Sequence, residues 1–126
     1  MVTDTDEFDY REDERLRRAE RLRKRSQYLR AQRKGRRRSG EHFIVYAHPN
    51  ERGWTRLGVT ASKRVGKANV RNWWKRRIRE IFRRNKQQFA AGYDLVVIVD
   101  ADAERADYEE LEDELVELLS AATSSN

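Results

Sequence analysis

The side chains with the clearest chemical potential lie between Lys63 and Lys86, where Glu80 is the only acid. At about 100° per residue, a helix over this stretch gathers most of its cations on one face and its apolar side chains on a neighbouring face. That cationic face, with the loop before it, comprises Lys63, Arg64, Lys67, Arg71, Asn72, Lys75, Arg76, Arg79, Arg83 and Lys86. Because like charges repel until a counter-charge arrives, and arginine and lysine bind phosphate, the pattern predicts nucleic-acid binding. A solvated charged surface is the alternative.

Other side chains that could do chemistry are few. The chain has no cysteine, which excludes disulfides and thiolate chemistry. His42 and His48 share a face of a predicted strand, but the nearest acid, Glu41, is expected to point to the opposite face, which disfavours a metal site. A second weak candidate for Mg²⁺ is the set of acids that flank a later strand, Asp94, Asp100 and Asp102. We therefore expect neither catalytic residues nor metal ligands in the protein.

Length and charge place these residues in one small domain. The chain has 126 residues and a formal net charge of +6, with acids concentrated near both ends. We predict an acidic disordered tail over residues 1–11, a single α+β domain over 12–122 and a disordered tail over 123–126. Residues 12–25 are a candidate helical extension of that domain. No secretory or membrane-spanning apolar segment is visible, so we expect a cytoplasmic protein without a membrane partner.

The element pattern predicts a small α-β sandwich with helices packed against one sheet. A segment rich in Arg, Leu and Ala can be helical from Glu12 to Lys34, or in a shorter form capped by Ser26. Two apolar runs predict strands over 43–47 and 54–62, which we expect to pair as a hairpin.

The second half of the chain predicts a helix, a strand and a helix. Asn69 can cap a long helix over 70–89. The segment 93–99 is apolar without alternation, which indicates a strand buried on both faces. Asp107 and Glu110 form a capping box that opens the last helix. The fold class is therefore α+β.

A long gapless motif resembles the signature of the protein subunit of bacterial ribonuclease P: KRVGKANVRNWWKRRIRE. The family pattern is Lys-Lys/Arg, a small loop with Gly, then Arg-Asn-Arg-x-Lys-Arg-x-x-Arg-Glu. The matching residues are Lys63, Arg64, Gly66, Arg71, Asn72, Lys75, Arg76, Arg79 and Glu80. One position departs, because Trp73 stands where the family has its third core residue, an arginine. The resemblance runs from about Arg21 to Leu119.

The resemblance implies the order α-β-β-β-α-β-α, with a left-handed β-α-β crossover in the central sheet. It implies a protein that binds the ribonuclease P RNA and the 5′ leader of precursor tRNA, and that has no small-molecule substrate. Hydrolytic removal of the leader is then carried out by the RNA with its Mg²⁺, and the protein holds no cofactor. The implied contacts to the catalytic RNA are Lys63, Arg64, Lys67, Arg71, Asn72, Lys75, Arg76 and Arg79. The implied leader contacts are Lys24, Tyr28, Gln32 and Tyr46.

Some alternatives stay open at this point. Trp73 either packs, lies exposed or stacks on RNA, and Gln32 stands where the family often has an aromatic residue. A structural RNA-binding protein of ribosomal type would bury Tyr28 and Tyr46, whereas a leader site requires exposed rings.

A DNA-binding regulator is a further alternative. It would need several amide side chains that read bases, and Asn72 is the only amide on the cationic face. The acidic start is either a shield for the Arg-rich helix or a solubility tail.

Overall fold

The computed structural model describes residues 18–124, so the predicted acidic tail lies outside the described residues. Within them lie three α-helices, four strands and two short 3-10 turns, Arg18–Glu20 and Lys86–Gln88. In chain order the helices and strands are α1 (Arg25–Lys34), β1 (Arg36–Ser39), β2 (Phe43–Pro49), β3 (Arg56–Thr60), α2 (Ala68–Asn85), β4 (Tyr93–Val99) and α3 (Tyr108–Ala122). This confirms the α+β class and the expected element order. None of these helices is both long enough and apolar enough to cross a membrane.

The four described strands form one sheet in the order β1-β2-β4-β3. β2 is antiparallel to both β1 and β4, and β3 runs parallel to β4. The predicted hairpin of β2 with β3 is therefore wrong, because β4 lies between them. A strand with apolar side chains on both faces is buried best at a central position, and β4 occupies it. β2 forms its hairpin with β1 instead. The left hand expected for the β3-α2-β4 crossover stays a prediction.

The two faces of the sheet carry different layers. Alternate side chains of each strand point to opposite faces. We call the face covered by α2 and α3 the closed face, and the face toward α1 the open face. The closed face carries the larger buried cluster, which includes Phe43, Val45, Ala47, Leu57, Val59, Trp74, Ile78, Ile81, Phe82, Leu95, Val97, Leu111 and Leu115. The open face carries a smaller buried cluster of Leu22, Ala31 and Val96.

Both ends of the described chain differ from the sequence prediction. The amide of Leu22 donates to the carbonyl oxygen of Leu57 over 2.9 Å, which attaches the segment before α1 to the free edge of β3. Of the candidate helical extension over 12–25, residues 12–17 lie outside the described residues, Arg18–Glu20 forms a 3-10 turn, and residues 21–24 are not helical. At the other end, Thr123, within the predicted tail over 123–126, is buried, and its hydroxyl donates to the Leu119 carbonyl oxygen over 2.8 Å.

One of the three predicted helix caps is confirmed. Ser26 lies inside α1, and the Gln27 side-chain oxygen accepts instead from the backbone amides of Arg23 and Lys24, just before the helix, at 2.9 and 3.0 Å. Asn69 lies in the first turn of α2 rather than before it. Asp107 does cap α3, because its carboxylate accepts from the amide of Glu110 over 3.0 Å. Each bond satisfies an amide at a helix start that has no partner within the helix.

Candidate nucleic-acid interface

The way in which α2 docks on the closed face positions the cationic face. Trp74, Ile78 and Phe82 recur at helical spacing and are buried against the sheet, as their pattern predicted. The implied contacts to the catalytic RNA lie on the loop before α2 and on an arc of about 140° of the helix. The exposed members are Lys63, Arg64, Lys67, Asn72 and Arg76, and the half-buried members are Arg71, Lys75 and Arg79.

Few acids neutralise the cationic face. Within residues 18–124, its salt bridges engage Arg83 at 3.9 Å and Lys86 at 2.9 Å, both near the end of the helix. Arg79 has no such partner there. Burial, and next the nearby charge of Arg21, lowers the pKa of the Arg79 guanidinium. A cation that is crowded by a like charge is stabilised by an added anion, which favours a phosphate at this position.

The implied leader contacts Tyr28 and Tyr46 lie on the open face. The ring of Tyr28 covers Gly58 of β3 so closely that a Cβ at Gly58 would lie 2.6 Å from it. The Tyr28 hydroxyl donates to the carbonyl oxygen of Leu22 over 3.3 Å. Tyr46 packs against the same small cluster, and both rings are half-buried. Each ring therefore combines a fixed position with an accessible part, as stacking on an unpaired base requires.

The other two implied leader contacts lie on or next to α1, and the two surfaces meet beside β3. Lys24 is exposed immediately before the helix. Gln32 follows Tyr28 by one turn, shares its flank of the helix and is half-buried. The Tyr28 ring covers Gly58 of β3, and α2 packs against the same strand. The cationic face and the aromatic part of the open face therefore border the same edge strand.

Trp73, the departure from the family motif, is a packed residue. Its ring meets the ring of Trp74 edge to face, with centroids 5.0 Å apart. The guanidinium carbons of Arg77 and Arg105 lie 4.8 and 4.7 Å from the Trp73 centroid. The sequence reasoning did not single out these two arginines. The spacing of four residues could have indicated Arg77, but Arg105 comes from the loop before α3, and no spacing indicates it.

The weak Mg²⁺ candidate around β4 is not assembled. Asp94 is buried and accepts from Nε and Nη2 of Arg56 over 2.8 and 2.7 Å and from Asn50 over 2.8 Å. Burial alone would raise the pKa of Asp94, but the hydrogen bonds from Arg56 and Asn50 outweigh it and hold that pKa below its usual range. Asp100 follows the opposite end of β4, so the acids do not converge.

The histidines also lie apart, at opposite ends of β2. His42 is buried, with its Nδ1 2.6 Å from Oε1 of Glu114. The expectation that Glu41 points away is wrong, because ligand-type atoms of Glu41, His42 and Glu110 lie within 4.8 Å of one another. Strand alternation does not govern Glu41, since β2 begins only at Phe43. Two members are exposed glutamates, which commonly cluster without an ion, and the expected absence of a metal stays a prediction.

Comparison with known proteins agrees with this geometry. The model of the ribonuclease P family matches residues 16–123. The ribonuclease P protein component of Syntrophus aciditrophicus is 39% identical over 104 residues, which are 82% of this chain and 87% of that protein. The Thermotoga maritima protein component is 39% identical over 106 residues, which are 81% of this chain and 91% of that protein.

Solved structures show the same likeness. The ribonuclease P protein from Thermotoga maritima superposes with a TM-score of 0.75 at 38% identity, covering 81% of this chain and 96% of that chain. The Staphylococcus aureus ribonuclease P protein superposes with a TM-score of 0.76 at 32% identity, covering 86% of this chain and all of that chain. Motif, fold and relatives agree, and the chain belongs to the ribonuclease P protein family.

Proposed function

We propose that this chain binds the catalytic RNA of a ribonuclease P holoenzyme through its cationic face and the 5′ leader of precursor tRNA on its open face. The observation that carries the proposal is that the Tyr28 ring and helix α2 both pack on β3, an edge strand of the sheet. It joins a surface short of acids to a surface of partly exposed rings. Phosphates neutralise the first surface, and unpaired leader bases stack on the second without a sequence requirement.

In this proposal the RNA and its Mg²⁺ carry out the hydrolysis, and no side chain of the protein is a catalytic group. The protein places positive charge between two polyanions, which reduces their repulsion and lowers the Mg²⁺ concentration that the reaction requires. It also binds and orients the leader, so that the holoenzyme has a higher affinity for precursor tRNA than for mature tRNA, which has no leader. Its RNA partners place the protein in the cytoplasm.

Cleavage of precursor tRNA at low Mg²⁺ by the cognate ribonuclease P RNA tests the proposal. The full chain should stimulate cleavage, and the stimulation should require a leader several nucleotides long. The variant Arg71→Ala/Arg76→Ala/Arg79→Ala should abolish it. The matched control Arg33→Ala/Arg38→Ala/Arg52→Ala removes three exposed cations outside α2 and should retain most of it.

A wild-type protein that binds the RNA tightly and in a salt-sensitive way, yet does not stimulate cleavage, would contradict the proposal. That outcome would leave a structural RNA-binding role. Equal loss in both triple variants would also contradict it, because the effect would then follow net charge and not the cationic face.

A further inference from the structure

Three arginines and two aromatic rings alternate along the other flank of α2. The order is Arg105, Trp73, Arg77, Tyr108, Arg84, and we call these five side chains the ladder. The Arg105 and Arg77 guanidinium carbons lie 4.7 and 4.8 Å from the Trp73 centroid. Those of Arg77 and Arg84 lie 5.2 and 5.3 Å from the Tyr108 centroid. Each ring therefore holds two guanidinium groups by cation–π contact, and Arg77 contacts both rings.

The ladder lies on a different flank of α2 from the centre of the cationic face, and the nearest member of that face, Arg76, is about 60° from Trp73 around the helix. Trp73, Arg77 and Arg84 fall within about 40° of one another around α2, and about 120–160° from Arg79. The buried arc around Trp74 lies between the ladder and the start of the cationic face. The ladder contacts the loop before α3 through Arg105.

The ladder concentrates positive charge that no salt bridge of the described residues neutralises. Among residues 18–124, no carboxylate lies within salt-bridge distance of its arginines. Glu80 and Glu112 act on Arg84 from farther away. The rings do not supply negative charge: tryptophan is neutral, and burial raises the pKa of the Tyr108 phenol. A stacked guanidinium keeps its edge N–H groups available to bind an anion with two parallel hydrogen bonds.

We propose that the ladder is a second RNA-binding surface, which takes backbone phosphates of the catalytic RNA on the flank of α2 away from the leader. The inference rests on the proposed function, which makes that RNA the partner. In this proposal Trp73, which stands where the family has an arginine, does not stack on a base. Its ring is already covered by the guanidinium groups of Arg77 and Arg105. It fixes Arg77 and Arg105 in place, so that less side-chain entropy is lost when they bind phosphate.

Salt-dependent binding of the full chain to the cognate ribonuclease P RNA tests the ladder. The variant Arg77→Gln/Arg105→Gln should weaken binding about tenfold. It should also flatten the slope of log Kd against log salt by about 0.7–0.9 for each phosphate that the variant no longer binds. The matched control Arg33→Gln/Arg38→Gln should change neither by a comparable amount. Trp73→Leu keeps the charge but removes the platform, and should weaken binding with an unchanged slope.

Two further arms make the result decisive. Arg105→Gln alone changes an exposed loop residue, so its expected smaller loss of affinity and slope does not depend on correct folding of α2. The affinity of the assembled holoenzyme for precursor tRNA should not change in any ladder variant. A change in that affinity would show that the ladder contacts the tRNA and would contradict the inference. Ladder variants that bind the catalytic RNA as the control does would overturn the inference. Wild-type protein that fails to bind that RNA would instead overturn the proposed function.

Discussion

The two faces of the sheet are built from the same strands but differ in what covers them. Among the described residues, the closed face gathers a cluster of 18 buried side chains from strands, α2 and α3. The open face gathers three buried side chains, with Tyr28, Tyr46 and Ile98 only partly covered. Because alternate side chains of a strand point to opposite faces, one strand can stabilise the fold on one side and meet a ligand on the other. The comparison predicts that stability depends mainly on the closed face.

The largest effect is expected from Trp74→Ala on the closed face. Trp74 is 1% exposed and packs edge to face on Phe43 with centroids 5.8 Å apart. Its truncation should lower the free energy of unfolding by about 3–5 kcal/mol, measured by urea denaturation. The control Trp54→Ala removes a ring that is 44% exposed and should cost about 1 kcal/mol, for its hydrogen bond to Ala19. Equal losses in the two variants would contradict the comparison.

The next largest effect is expected at the ion pair between Arg56 and Asp94, which lies where β3 and β4 begin. Asp94 is 4% exposed, and its substitution by Asn leaves the Arg56 guanidinium buried without its carboxylate. We expect Asp94→Asn to lower the free energy of unfolding at neutral pH by about 3 kcal/mol. The exposed Asp102→Asn should have little effect and serves as the control.

The pH dependence of that loss identifies the ion pair as its cause. The pKa of Asp94 is lower in the folded protein than in the unfolded chain. Its contribution is therefore fully present above the unfolded-state pKa and is lost as the pH falls through the folded-state pKa. The stability difference between the wild type and Asp94→Asn should narrow as the medium becomes acidic. A difference that is constant over the acidic range would show that the loss comes from packing.

Sequence reasoning worked where a periodic pattern decides the outcome. The apolar arc of α2 and the unbroken apolar run of β4 predicted which side chains are buried, because burial of an amphipathic helix or a central strand follows directly from its spacing. It failed where partners come from distant segments. β2 and β3 are neighbours in the chain, but β4, more than 30 residues later, separates them in the sheet. The partners of Trp73 include Arg105 for the same reason.

The implied recognition residues were harder to place than the core. The family resemblance supplied Tyr28 as a leader contact, but the residue that positions its ring is Gly58, from another element. Gly58→Ala should therefore force the ring to shift, at a cost of about 1–3 kcal/mol in the free energy of unfolding. In a Tyr28→Ala background the same change should cost almost nothing, since the clash is gone. A double-mutant cycle without such coupling would contradict this contact.

The smallest effect on stability is expected from Tyr46→Leu on the open face, and it separates binding from folding most sharply. Tyr46 is half-buried, and leucine keeps most of its contact with the small cluster, so the free energy of unfolding should fall by about 1 kcal/mol or less. If the ring stacks on a leader base, the holoenzyme should lose about 1 kcal/mol of affinity for precursor tRNA, roughly fivefold. Affinity for mature tRNA, which has no leader, should stay the same. Equal weakening for both RNAs would place Tyr46 outside the leader site and leave the open face without its proposed ligand.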